Sequence, residues 1–189
     1  VNGPRPVDKR GKNEDARWSR CKAALSMVAA MGTEIERKFL VRDESWRAAA
    51  ADSRRLRQGY LAIDGQCTVR IRTDGEEAWV TIKGPQVGLA RAEFEYRIPC
   101  EDAEGLLGLC RGRVVEKVRY RVPFGGQVWE IDEFSGANAG LVAAEIELDR
   151  ADEPFERPEW LGDEVSSDPR YLNANLSSKP YGSWHAGDN

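Results

Sequence analysis

Charged and apolar residues alternate with a period of two along most of this chain, and the alternation predicts its strands. In Glu34-Ile35-Glu36-Arg37-Lys38-Phe39, the residues Glu34, Glu36 and Lys38 recur every second position. An extended strand therefore places two carboxylates and an ammonium on one face, with Ile35 and Phe39 on the other. A helix would scatter them, because positions two apart do not share a helical face. The pattern returns with Arg70 and Arg72 against Val69 and Ile71, with Thr81 and Lys83 against Val80 and Ile82, and with Glu93, Glu95 and Arg97 against Phe94, Tyr96 and Ile98. Lys117, Arg119 and Arg121, then Glu130 and Asp132, then Glu145 and Glu147 repeat it, each interleaved with apolar partners.

These runs predict strands at 33–41, 55–62, 67–73, 77–83, 91–98, 114–122, 127–134 and 141–149. Asp64-Gly65, Asp74-Gly75 and Gly125-Gly126 supply turns, which makes neighbours antiparallel. Helices are expected from Glu44 to about Ala51, with Asp43 as N-cap, and over 101–110, where acidic residues suit the positive end of the dipole. After Pro154 the expectation is a turn of helix around Glu159 to Leu161 and a last helix near Asp168 to Ser177. The fold class is mainly β with added helices (α+β): an eight-stranded antiparallel barrel closed on itself, a tunnel with a charged lumen and helices packed outside. An open sandwich with solvated charges gives the same alternation. The set of strands weakens that alternative, because solvated faces usually mix in Ser, Thr, Asn and Gln, whereas these are almost wholly Glu, Asp, Lys and Arg. Trp129, Phe94, Tyr96, Ile98 and Tyr120 then point outward and need cover from the helices or from a second copy in a homodimer.

A chain of 189 residues fits one domain with a tail. Its net charge of -4 and pI near 5.3 argue against a general nucleic-acid binder. Cys21, Cys67, Cys100 and Cys110 form no CxxC pair, which favours reduced thiols and a cytoplasmic setting, and no run is long enough to span a membrane. Residues 1–30 stand apart: a polar, basic stretch to Lys22 precedes the short apolar run Ala23 to Met31. That order resembles a secretory leader, but the run leads almost directly into the first strand. The expectation is a disordered extension followed by a short helix, or an upstream start with Met31 as the natural first residue. The domain itself is expected over 31–180, followed by a polar tail over 181–189 that carries the single histidine, His185. A Ser-His-Asp triad or a His-rich zinc site does not fit.

Glu34-Ile35-Glu36-Arg37-Lys38 matches the ExExK signature of the CYTH domain, the triphosphate tunnel metalloenzymes. Arg70-Ile71-Arg72, Lys83, Glu93-Phe94-Glu95, Lys117-Val118-Arg119 and Glu145-Ile146-Glu147 keep the family's order, as do Glu164-Val165 and Arg170-Tyr171-Leu172-Asn173. The chain resembles the compact bacterial members from about Thr33 to Ser177.

The resemblance implies a metal-dependent hydrolase of triphosphates, above all an inorganic tripolyphosphatase releasing phosphate by attack of water. It implies Mg2+ or Mn2+ held by Glu34, Glu36, Glu145 and Glu147, and a cradle of Lys38, Arg70, Arg72, Lys83, Lys117 and Arg119 around a triphosphate. Glu93, Glu95, Glu130 and Asp132 would orient the cations, place a second metal or position water, and Lys117 either tunes that water or contacts phosphate. Tyr60 either meets substrate or packs across strands. Arg54, Arg55 and Arg57 line a tunnel mouth or a solvated edge, Gly84-Pro85 is a turn, and Arg170 and Tyr171 close one end or anchor the last helix. The same family contains class IV adenylate cyclases and thiamine, RNA and other nucleoside triphosphatases, which the cradle alone does not separate. A noncatalytic polyphosphate-binding module is the reading from another class, and carboxylates in the lumen argue against it.

Overall fold

The structure, a computed structural model, describes residues 32–184; the expected N-terminal extension, Cys21 and His185 lie outside the described residues. The strands are β1 (Thr33–Val41), β2 (Asp52–Ile63), β3 (Thr68–Thr73), β4 (Ala78–Lys83), β5 (Ala90–Ile98), β6 (Arg111–Phe124), β7 (Gln127–Phe134), β8 (Val142–Glu147) and β9 (Leu161–Glu164). Helix α1 covers Cys100–Leu109 and α2 covers Asn173–Ser178. The strand order β5-β4-β3-β2-β6-β7-β8-β1 is closed by pairing of β5 with β1, giving the eight-stranded antiparallel barrel that the alternation predicts.

The turn chemistry fixes which strands meet. Asp64 Oδ1 accepts the N–H groups of Gln66 and Cys67, both at 2.8 Å, and Asp74 Oδ1 accepts those of Glu76 and Glu77 at 2.9 and 2.7 Å. Between Phe124 and Gln127, which pair directly, Gly125 and Gly126 both take positive φ (60° and 79°), the two-residue turn whose twist suits a hairpin.

Registers show how the inward face is built. Glu36 lies opposite Glu147, Lys38 opposite Glu145, Arg119 opposite Asp132, and Arg70 between Tyr60 and Thr81. Continuing each inward row by two residues reaches Leu40, Val115, Phe134 and Ala143. These pack with Leu141 and with the fully buried Leu176 of α2. The lumen is therefore charged over one stretch and filled with hydrocarbon over the next. The alternation alone places apolar residues on the outer face; the structure adds this inner floor.

Outside the barrel, Trp46 from the 3-10 turn Ser45–Ala49 and the segment carrying Phe155 and Trp160 cover Phe39, Trp129, Ile131 and Ile146. Helix α1 covers Ile71 and Ala78 through Ala103 and Leu107. Of the outward residues expected to need cover, Trp129 is fully buried, while Tyr96 remains exposed beside Ile82. The helix expected over 44–51 is the short 3-10 turn, with Asp43 Oδ1 accepting from Ser45 N–H at 2.8 Å.

Two local expectations are corrected. The turn of helix near Glu159 to Leu161 gives way to β9, which pairs with β1 at Phe39 and Val41, because β8 takes one edge of β1 and the stretch of the other edge left beyond β5 needs backbone partners. The helix expected over 168–177 divides into a 3-10 turn, Pro169–Tyr171, and α2. Asp168 caps the first by accepting from Arg170 N–H. Beyond α2, Tyr181 and Trp184 pack edge to face at 5.0 Å, and Trp184 packs on Tyr171 at 5.1 Å, so the chain stays engaged through residue 184.

Candidate active site in the barrel lumen

A cavity of about 750 Å3 occupies the charged part of the lumen. Glu34, Glu36 and Lys38 of β1, Arg70 and Arg72 of β3, Lys83 of β4, Arg119 of β6 and Glu145 and Glu147 of β8 all line it. Lys117, expected among them, lies just below, buried on the hydrocarbon floor with its ammonium 5.5 Å from the Phe134 ring centroid. Arg170, expected near one end, is outside the lining and pairs with Asp168; its neighbour Leu172 and residues Asn173 to Asn175 close that side instead.

The cations and acids fall into a neutralised group and an unbalanced one. Asp132, with no exposed surface, is held by Lys117 and by Arg119 through two bonds of 2.7 Å. Burial works against its ionisation, but the two cations overcome this and lower its pKa. Glu145 accepts from Arg119 at 2.7 Å and pairs with Lys38 at 2.7 Å. Against the effect of burial, those cations hold it well below the usual carboxylate range. Lys38 in turn is held above the ordinary lysine value: burial alone would lower it, and Glu145 with Glu36 more than offset that. Lys83 donates to both oxygens of Glu34 at 2.8 and 2.7 Å and pairs with Glu93 at 2.8 Å. Arg70 and Arg72 share Glu95 at 3.3 and 3.1 Å, and Thr81 donates to the same carboxylate at 2.7 Å.

Two features remain unbalanced. Glu36 and Glu147 face each other across β1 and β8, and both pKa values are raised. Burial is the main cause in each; Glu145 adds to it for Glu36, and Glu34 and Glu130 for Glu147. Among the described residues, Glu147 has no cationic partner, and no three carboxylate, histidine or cysteine side chains stand close enough to hold an ion together. The second feature is the buried Nε–H groups of Arg70 and Arg72, which have no acceptor. Burial and the adjacent Arg70 lower the Arg72 pKa, so this part of the wall is short of negative charge.

The charged residues of the lining were visible in sequence through their alternation. Arg91, which lines the cavity and donates to Glu34 at 2.9 Å, was missed. It continues the inward row of Glu93 and Glu95 by one step, so the same periodicity pointed to it. Gln58, fully buried and donating to the Tyr60 hydroxyl at 2.9 Å, carried no charge to mark it. Tyr60 lines the cavity, and burial pushes its phenol up to about 12. It is the single aromatic ring among the described residues that line it.

Comparison with known proteins supplies independent findings. The model of the CYTH domain matches residues 32–181. An inorganic triphosphatase of Acetivibrio thermocellus is 45% identical over 152 residues, covering 80% of this chain and 97% of that protein. An inorganic triphosphatase of Nitrosomonas europaea is 39% identical over 150 residues, covering 77% and 97%. The crystal structure of the inorganic triphosphatase NE1496 superposes with a TM-score of 0.56 at 36% identity, covering 76% of this chain and 93% of that one.

Proposed function

The chain belongs to the CYTH family, and from that premise we propose that it is an inorganic triphosphatase, hydrolysing tripolyphosphate to pyrophosphate and phosphate with water as the nucleophile. The observation that carries the reading is the juxtaposition of acceptor-less guanidinium N–H groups on Arg70 and Arg72 with the cation-poor pair Glu36 and Glu147. A polyanion beside Arg70 and Arg72, with its counter-ion between Glu36 and Glu147, offsets both excess charges at once. The inventory of the lining supports an inorganic substrate: one aromatic ring, Tyr60, offers no sandwich for a base or a thiazolium.

In this reading Arg70, Arg72, Lys38, Lys83 and Arg119 donate charge-assisted hydrogen bonds to phosphate oxygens, which fixes the chain of phosphates for in-line attack. Glu93, Glu95 and Asp132 hold those cations in place before substrate arrives, so little reorganisation accompanies binding. The hard carboxylate oxygens of the cation-poor pair Glu36 and Glu147 would hold Mg2+ or Mn2+, which takes one or two carboxylates together with phosphate oxygens and water, while Glu34 and Glu145 stay with their cations beside it. When bound, the divalent ion supplies charge neutralisation on the phosphate oxygens. Lys117, buried outside the cavity lining and bonded to Asp132, acts through that carboxylate, which in turn positions Arg119.

The test is a substrate panel. Purified protein is given tripolyphosphate, ATP or thiamine triphosphate, with and without Mg2+ or Mn2+, and scored for phosphate, pyrophosphate and cyclic AMP. Metal-dependent phosphate release from tripolyphosphate, well above that from the other two, is expected. Cyclic AMP from ATP, or binding without turnover, overturns the proposal.

A further inference from the structure

Arg91 projects from β5 at the seam where that strand meets β1, and it sits among the carboxylates assigned above to the divalent ion. Its Nε donates to Glu34 at 2.9 Å, while its Nη2 stands 3.7 Å from Glu36, beyond hydrogen-bond length. Glu34 does not depend on it, because Lys83 already donates to both of its oxygens. A guanidinium carries five N–H donors, and among the described residues this one makes a single hydrogen bond while facing the lumen. The acids are thus unevenly served: Glu34 has two cations, Glu36 a loose one, and Glu147 none among the described residues.

We propose that Arg91 is an exchangeable counter-ion: it balances Glu34 and Glu36 while no divalent cation is bound, leaves them when one binds, and then turns its free donors to the triphosphate. The inference rests on the metal-dependent triphosphatase reading above. The physical reason is competition. A guanidinium at ion-pair distance from Glu36 repels a second cation shared by Glu36 and Glu147, so one of the two must yield. Arg91 is the group able to yield, since its side chain is long and its hold on Glu36 is weak. Once released, it adds a cation to the phosphate wall, so each ligand makes room for the other. Binding of metal and of triphosphate is then positively linked, and by the same factor in both directions.

The alternative is that Arg91 is a fixed tie across the β5–β1 seam. Titration calorimetry of the full chain with Mg2+ alone, without substrate or turnover, separates the two. Arg91→Gln is expected to bind Mg2+ about 5-fold more tightly or better, because the competing cation is gone. The tightening of Mg2+ produced in wild type by a nonhydrolysable imido-linked triphosphate should shrink in the variant. Arg91→Lys, which keeps the charge at the seam, should bind Mg2+ as wild type does. Arg121→Gln, altering a cavity arginine whose partner is Asp52 at 3.8 Å, should leave Mg2+ affinity unchanged. Equal or weaker Mg2+ binding by Arg91→Gln overturns the proposal. Glu36→Gln identifies which reading has failed. If it loses Mg2+ while Arg91→Gln gains nothing, the exchange alone is wrong; if it binds Mg2+ normally, the acid-pair site is wrong and the exchange falls with it.

Discussion

Lys117 makes the stability of the fold depend on alkaline pH with a definite sign. Its side chain is 1% exposed, and burial, with Arg119 beside it, depresses the ammonium to about 8 despite the bond to Asp132. The unfolded chain titrates near the ordinary 10.5. Between these values the unfolded state holds the extra proton, so stability rises with pH there. Below about 8 both states are charged and the slope vanishes. From pH 7.5 to 9.5 the gain is roughly 2 kcal/mol, at about 1.4 kcal/mol per pH unit over the titrating part. At 2–4 °C per kcal/mol for a domain of this size, the melting point should rise by about 4–8 °C from this residue. Lys38 acts in the opposite sense, because its pKa is raised, but its contribution is lost only above the unfolded value, outside the window. The assay is urea denaturation of wild type and Lys117→Met at pH 7.5, 8.5 and 9.5. The variant removes this titration, leaves Asp132 paired with Arg119, and shares every other titrating group. Wild type should gain on the variant by about 2 kcal/mol across the series. Parallel curves would refute the depressed ammonium and the dry floor beneath it.

Other perturbations follow from the same geometry. Glu36→Gln should abolish most metal-dependent phosphate release while leaving the far-ultraviolet spectrum and melting point nearly unchanged, since a raised pKa marks a group whose charge does not stabilise the empty fold. Leu176→Ala, at a fully buried position of the floor, should cost about 2–5 kcal/mol in urea denaturation. It should also admit water beneath Lys117 and flatten the pH-dependent gain. Saturating tripolyphosphate with Mg2+, at a hundred times the dissociation constant, should stabilise the protein by about 2.7 kcal/mol, visible as a thermal shift that chelator reverses.

The barrel and most of its wall were legible because a strand's period is two and charged residues mark one phase of it. Glu36, Arg72 and Lys117 announced their face without any tertiary information. The floor was less legible, although Leu40 follows Lys38 at the same phase, because a lone apolar residue at a strand end does not say whether the barrel interior is still wet there. β9 was hidden for another reason. Leu161-Gly162-Asp163-Glu164 has little strand preference of its own, and its state is set by the available edge of β1. Gly162 permits the approach, since a Cβ there would lie 2.8 Å from the Leu40 carbonyl oxygen. Partner choice was beyond the sequence altogether. That Glu145 is taken by Lys38 and Arg119 while Glu147 has no cation among the described residues follows from side-chain reach in the closed barrel.

Closure of the barrel by its first strand also governs when the molecule can begin to work. β1 pairs with β8 and β9, near the other end of the described chain, so the loop that brings Glu36 to Glu147 is the longest among the eight barrel strands. Long-range pairings of this kind form slowly, after the local hairpins. A chain emerging from the ribosome has its cationic wall from β3, β4 and β6 well before it has an acid pair, and turnover in a refolding protein should return only with the last, slowest phase.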